Sequence, residues 1–315
     1  MRMISKYITE NGKLRQIDEY MPGMWINLVA PTQDESVEIA RRYGVDITDM
    51  RASLDEEESS RVEVNEDYVL ILFDIPTTET RHDQEMYCTI PLGVVWTEDA
   101  IITVCSVETP VLKYFIVNNV REFTTKKQVR FTYQMLYRAC VMYQSCLRII
   151  DRRRVEMEER MDEVTENKDI VYLHELESTL VYFDTSLRAN RMVVDRLTRY
   201  SGIRKFPEDQ ELLDDVVVEN LQAIEMTQIY RDIIKGTREL MSTMIDNRLN
   251  NIMKYLAAIT IVMSIPTIIS GLYGMNVSGK WMPLSDTPYG FGIICGITLV
   301  ICVVVGIVLR KRKML

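Results

Sequence analysis

The rhythm of hydrophobic and polar positions changes along this chain, and each change predicts a different kind of element. Up to about residue 120, short runs at 24–29, 68–73, 90–96 and 100–105 are rich in branched and aromatic residues and bounded by Pro, Gly or Asp, as strands are. Residues 32–43 carry Val37, Ile39 and Ala40 on one side and predict an amphipathic helix. From about 125 to 200 Gly and Pro vanish. Tyr133, Leu136, Tyr137, Cys140, Tyr143, Cys146, Leu147 and Ile150 recur at threes and fours, and Leu176, Leu180, Phe183, Leu187, Met192 and Leu197 do so again after Asn167. Two such helices joined by a short turn predict an antiparallel hairpin over 121–206.

Gly202 and Pro207 interrupt the pattern, and Pro207, followed by Glu208 and Asp209, suits the first turn of a new helix. The next proline is Pro266, so one helix is expected to run from 207 through 250 and on through an apolar stretch at 251–272. About 60 residues of helix would span roughly 90 Å, a length that needs support from the hairpin or from copies of itself. A second apolar stretch covers 291–309, and both stretches are long enough to cross a bilayer. The loop at 273–290 carries only Lys280 and Asp286, whereas the tail at 310–315 opens with Arg310-Lys-Arg-Lys313, so both ends are expected in the cytoplasm and the loop outside. Trp281, Tyr289 and Phe291 fit an interfacial belt. The expected architecture is an α+β cytosolic domain (1–120), a long-helix stalk and two C-terminal transmembrane helices per subunit of a multi-pass cell-membrane protein.

Composition narrows the chemistry. With 46 acidic and 37 basic residues the net charge is −9, which argues against a nucleic-acid surface and allows attraction of cations. Residues 1–6 lack the apolar run of a secretory signal, and the six cysteines show no CxxC spacing and read as reduced thiols. No Gly-rich phosphate loop follows a strand and no nucleophile constellation is present, so no enzyme and no bound cofactor are expected. His82 and His174 are too isolated for a His-rich metal site. The acidic run Asp55, Glu56, Glu57, Glu58 reads either as a solvated loop edge or as half of a divalent-ion site, since Mg²⁺ takes hard oxygens through retained water.

Steps of three and four along the first apolar stretch give Met253, Ala257, Thr260, Ser264, Thr267 and Gly271, a small and mostly polar stripe. Ile252, Ile259, Val262, Ile265 and Ile269 lie on the other side. Continued backward, the stepping reaches Asn250, Asp246, Thr243, Glu239, Gly236 and Asp232. Small residues alone would suit close helix packing in lipid. A stripe that stays polar on both sides of the boundary, repeated in copies around an axis, would instead stack rings of carboxylate, amide and hydroxyl groups into a cation pathway. Pro266 would free one backbone carbonyl for solvent or ion, or be merely tolerated.

The first apolar stretch ends in Tyr273-Gly274-Met275-Asn276, and this triplet between two spans resembles the signature of the CorA family of divalent-cation channels. The resemblance is strongest over 250–315 and architectural elsewhere. It implies a homopentamer whose first membrane helix lines the pore, with Gly274, Met275 and Asn276 as the filter: the Asn276 side-chain oxygen and the Gly274 carbonyl would hold a cation in its water shell, braced by Tyr273. Asn250 matches the family's pore asparagine, Leu256 its apolar constriction and Thr267 a pore hydroxyl, while Ser264 departs from a methionine found in some members. Asp215, with Asp214 and Glu219 beside it, falls where the family carries a regulatory carboxylate between subunits, and residues 55–58 are the candidate partner. The outer loop reads Met282-Pro-Leu-Ser-Asp286 in place of a Glu-containing segment, which bears on the choice of ion. The function implied is Mg²⁺ flux, with Co²⁺ or Ni²⁺ admitted, driven by the membrane potential and closed by cytosolic Mg²⁺. The alternatives are Zn²⁺ transport by the same architecture and a membrane-anchored scaffold or sensor that conducts nothing.

Overall fold

The computed structural model describes residues 4–81, 84–118, 120–160, 167–199, 207–276, 282–284 and 287–312. His82, Gly202, Lys280, Trp281, Asp286 and Lys313, all invoked above, lie outside them. The chain divides into two compact units, Met1–Arg238 and Glu239–Leu315.

The first unit is built on a seven-stranded mixed sheet in the order β2-β1-β3-β7-β6-β5-β4. Strands β1 (Ile4–Glu10) and β2 (Lys13–Ile17) form a hairpin turned by Asn11 and Gly12, both left-handed at φ 51° and 74°. That is the twist a two-residue hairpin turn requires, and Asn-Gly is the pair that adopts it at least cost. Among the described residues β3 (Met24–Val29) and β7 (Ala100–Cys105) are the one parallel pair, while β4 (Arg61–Val64), β5 (Val69–Arg81) and β6 (Gln84–Trp96) pair antiparallel. The strands expected at 68–73 and 90–96 are thus the inner halves of a longer ribbon, and Pro76 and Pro91 lie inside it. Pro76 falls beyond the reach of β4, and Pro91 just outside the β7 pairing, so each missing N–H lies where the ladder has thinned to two strands.

Helices cover both faces. α1 (Gln33–Tyr43) starts with a reciprocal cap: Glu35 N–H donates to Thr32 Oγ1 at 3.3 Å, and Thr32 N–H donates to Glu35 Oε2 at 2.8 Å. It stops at Gly44, which is left-handed. With α2 (Ile47–Arg51) it buries Ile39, Ala40 and Met50 against Met24, Ile26, Leu28, Leu70, Leu72 and Ile102. The alternate residues Trp25, Ile71, Phe73, Leu92, Val94 and Ile101 face α3 (Pro110–Val117), α4 (Gln128–Glu159), α5 (Asn167–Arg199) and the start of α6 (Pro207–Tyr273). Period-two alternation therefore fills two cores, one on each side of the sheet. Phe131 of α4 centres the larger one, with ring centroids 5.0 Å from Trp25, 5.1 Å from Phe115 and 4.7 Å from Phe123. α4 and α5 touch through Tyr143 and Phe183, 4.9 Å apart and edge to face, and both also pack on the sheet.

The first turn of α6 is fastened in this unit. Arg130 donates to Asp209 Oδ1 at 3.0 Å and to the Glu208 carbonyl at 3.4 Å, and its other terminal nitrogen bonds Glu122. Arg130 and Asp209 are buried, so each needs the other to be tolerated there.

Candidate functional site

Glu208–Tyr273 and α7 (Gly290–Lys311) each contain a window apolar enough to cross a membrane, with mean hydropathy 1.9 and 3.0, and only 6% of either window is buried within the chain. That much bare apolar surface requires lipid or other subunits as its solvent.

In the second unit Cys302 of α7 lies beside Val262 of α6, while Phe291 and Tyr273 line the same groove of about 520 Å³, so the two helices run antiparallel. Ala258 is fully buried and Val262, Ile265 and Ile269 are partly buried. At 100° per residue these positions share one side of α6, and Met253, Leu256, Ala257, Thr260, Ser264, Thr267 and Gly271 centre roughly 160° away from it. Along that opposite side all are exposed except Ser264, which is partly buried. α7 thus covers Ala258, Val262, Ile265 and Ile269, leaves Ile252 and Ile259 exposed on the flanks, and lies away from the polar stripe.

The hydroxyls of the stripe are turned onto their own helix. Thr260 donates to the Leu256 carbonyl at 2.8 Å, Ser264 to Ile261 at 2.8 Å and Thr267 to Met263 at 3.0 Å. Each proton is used inside the helix and the oxygen stays on the uncovered side. Pro266 lacks the N–H that would reach the Val262 carbonyl. That carbonyl faces α7, where the Cys302 thiol lies 3.8 Å away as donor. The carbonyl released by the proline is therefore taken up by the neighbouring helix and is not presented to the stripe, a contact that no spacing rule in the sequence marks.

The triplet follows the end of α6 directly. Gly274 N–H still bonds the Ser270 carbonyl at 2.9 Å, and Asn276 is exposed beyond it. The Tyr273 hydroxyl donates to the Pro283 carbonyl at 2.9 Å, tying the helix end to the following loop. Where that loop enters α7, a Cβ on Gly290 would come within 2.0 Å of the Leu284 carbonyl oxygen and 2.8 Å of Thr287 Oγ1, so only glycine fits.

The acidic candidates are spread out. Asp246 and Glu239 are exposed on α6 in the second unit; Asp232, also exposed, belongs to the first, as do Asp214 and Asp215. Asn250 is exposed on the helix as well. Glu219 accepts from Gln144 Nε2 at 2.6 Å and Asp214 from Gln210 Nε2 at 2.9 Å. In the acidic run, Glu58 pairs with Arg61 at 2.5 Å and Asp55 accepts the Glu57 N–H at 3.1 Å, leaving Glu56 and Glu57 to line a polar cleft of about 530 Å³ with Glu79 and Glu175. Among the described residues no three carboxylate, histidine or thiol groups come together as a metal-holding set within one chain.

Residues 23–311 match the family described as CorA-like Mg²⁺ transporter protein. The chain is 28% identical over 297 residues to the cobalt/magnesium transport protein CorA of Methanocaldococcus jannaschii, covering 91% of this chain and 90% of that one. It is 24% identical over 298 residues to the protein of the same name in Thermotoga maritima, covering 92% and 83%. The complete structure of the CorA magnesium transporter from M. jannaschii superposes with a TM-score of 0.81 at 25% identity, over 99% of this chain and 98% of that one. The chain belongs to the CorA-like Mg²⁺ transporter family, a family of ion transporters and not of enzymes.

Proposed function

We propose that the protein is a homopentameric channel for divalent cations, Mg²⁺ first, with Co²⁺ and Ni²⁺ admitted. The observation that carries this reading is the placement of α7 against Val262, Ile265 and Ile269 of α6, which leaves Thr260, Thr267 and Gly271 exposed and Ser264 partly so. Copies arranged with α7 outermost would turn those oxygens toward a shared axis, with Asn250, Met253, Leu256 and Ala257 below them and Asp232, Glu239 and Asp246 lining the approach. The names of the relatives in M. jannaschii and T. maritima support Mg²⁺ and Co²⁺ as cargo. Gly274, Met275 and Asn276 would form the outer filter. Mg²⁺ dehydrates reluctantly, so a ring of neutral amide and carbonyl oxygens can hydrogen-bond its waters without stripping them.

Both termini are assigned to the cytoplasm by the basic run after α7. A charge moved through 100 mV gains about 2.3 kcal/mol, so a divalent ion gains about 4.6, enough for over a thousandfold accumulation without ATP. Closure is assigned to cytosolic Mg²⁺ held between subunits by Asp214, Asp215 and Glu219 on one side and residues 55–58 on the other. Glu56 and Glu57 are the members of that run whose carboxylates, among the described residues, take no hydrogen bond or ion pair.

Flux into proteoliposomes with Mg²⁺, Co²⁺, Ni²⁺ and Zn²⁺ tests the reading, with Asn276→Ala as control. Mg²⁺ uptake lost in the variant is expected; flux of Zn²⁺ alone would reassign the cargo, and no flux of any of the four would leave a scaffold. Gating is tested by Asp215→Ala combined with neutralised residues 55–58. Unchanged inhibition by internal Mg²⁺ would refute the assigned carboxylates.

A further inference from the structure

The contact of Cys302 with Val262 sets the level of the two apolar helices along their common direction. Eight residues before Val262 on α6 is Lys254, and eight residues after Cys302 on α7 is Arg310, so both lie about 12 Å from that contact and at one level. Lys311 and Arg312 continue just beyond, and Leu309, one residue earlier, is buried while all four cations are exposed. Tyr255, beside Lys254, is 52% exposed at the same height, where an amphipathic ring favours the water–hydrocarbon boundary. By helical rotation Lys254 sits roughly 60° from the α7-facing side of α6 and roughly 100° from the centre of the stripe, on the flank of the helix pair.

Among the described residues none of these four cations makes an ion pair. From residue 247 onward the only acidic residue is Asp286, at the opposite end of the spans, and Asp246 lies eight residues, about 12 Å, further along α6 from Lys254. Four exposed cations with a tyrosine, ranged where two membrane helices leave the hydrocarbon, complement the phosphate layer of an acidic membrane. We propose that Lys254, Arg310, Lys311 and Arg312 form a binding site for the headgroup of an anionic phospholipid on the flank of the α6–α7 pair. Guanidinium groups engage phosphate oxygens in pairs and the lysine ammonium adds a point charge, so recognition is for the charged phosphodiester and not for the acyl chains.

The test uses the full chain in neutral detergent, exposed to equimolar phosphatidylglycerol and phosphatidylcholine of matched chain length, with retained lipid counted by native mass spectrometry. Wild type should retain phosphatidylglycerol over phosphatidylcholine by at least about fivefold, the effect of a single such cation at a membrane surface. Combining Lys254→Gln, Arg310→Gln, Lys311→Gln and Arg312→Gln should equalise the two lipids. The charge-preserving set Lys254→Arg, Arg310→Lys, Lys311→Arg and Arg312→Lys should keep the preference. Equal retention by wild type, or a preference that survives the glutamine set, overturns the proposal. Displacement of the lipid by inorganic phosphate beyond that caused by sodium chloride at the same ionic strength would mark a free-anion site and overturn it as well. Should the glutamine set fail to fold, ionic strength decides: near 1 M, where screening acts over about 3 Å, the wild-type preference should collapse, and a preference unmoved by salt refutes the site.

Discussion

The pairing of Pro266, Val262 and Cys302 can be tested as a closed thermodynamic cycle. The proline withholds the N–H that the Val262 carbonyl would take inside the helix, and the Cys302 thiol stands 3.8 Å from that oxygen. Cys302→Val adds one methyl group toward the groove that Cys302 lines and removes the donor. In apolar surroundings no water replaces it, so the loss should be about 1 kcal/mol, the upper range of a sulfur hydrogen bond and the lower range for an unsatisfied buried acceptor. Pro266→Ala returns the N–H, and relief of a proline in a helix interior, about 3 kcal/mol less the thiol's existing contribution, should leave a net gain of about 2 kcal/mol. In that background the Val262 carbonyl has its partner again, and Cys302→Val should cost close to nothing. The coupling between the two sites is therefore expected at about 1 kcal/mol. Reversible unfolding of the full chain in mixed detergent, followed by far-ultraviolet circular dichroism at fixed protein-to-detergent ratio, measures all four corners. If Cys302→Val costs the same with alanine as with proline at 266, the thiol packs and does not serve the carbonyl, and the argument fails.

Other outcomes follow from single positions. Burial raises the Asp74 carboxyl above its ordinary value of 3.8, against hydrogen bonds from Ser186 and Ser60 that lower it. The folded chain thus holds this proton more tightly than the unfolded one, and the stability it contributes is complete below 3.8 and lost as pH rises through the elevated value. Asp74→Asn should remove that loss, so denaturant midpoints of variant and wild type should diverge in the variant's favour from acidic to neutral pH; a constant difference would contradict the sign. Thr267→Val deletes a stripe oxygen worth a net ~1 kcal/mol and should slow Mg²⁺ flux about fivefold, whereas Ile259→Val, off the stripe, should not change it. Gly290→Ala places a Cβ 2.0 Å from the Leu284 carbonyl and should lower thermal stability and flux together; normal values of both would show that the turn relaxes freely.

What could be read from the sequence was whatever has a period. The strands at Met24–Val29 and Ala100–Cys105 are buried on both faces, and such runs, apolar except for the paired Asn27 and Thr103, announce themselves. The outer halves of β5 and β6, from Thr77 to Arg81 and from Gln84 to Thr89, have no such run, and their ladder is held by pairing across a ribbon that only the fold supplies. β1 and β2 are charged and half-exposed, and the Asn11-Gly12 turn between them is a hairpin signal that hydrophobic patterning does not mark. At the candidate site, the 3.6-residue stepping identified the stripe, while which side α7 covers depends on packing between helices and has no one-dimensional trace. The same holds for Glu219, named through the family resemblance, and Glu58, a member of the acidic run: only the structure commits one to Gln144 and the other to Arg61.

The hydroxyls that bond back to their own helix have a consequence for selectivity. Between Thr260 and Gly271 the stripe contains no ionisable group, and every hydroxyl proton in it is directed at a carbonyl, so the outward dipoles all present their negative end. A conduit lined this way distinguishes the sign of an ion without carrying charge. Its preference for cations within the bilayer should accordingly be independent of pH, and the effect of salt or acid on transport should reside in the carboxylates of the approach, Asp232, Glu239 and Asp246.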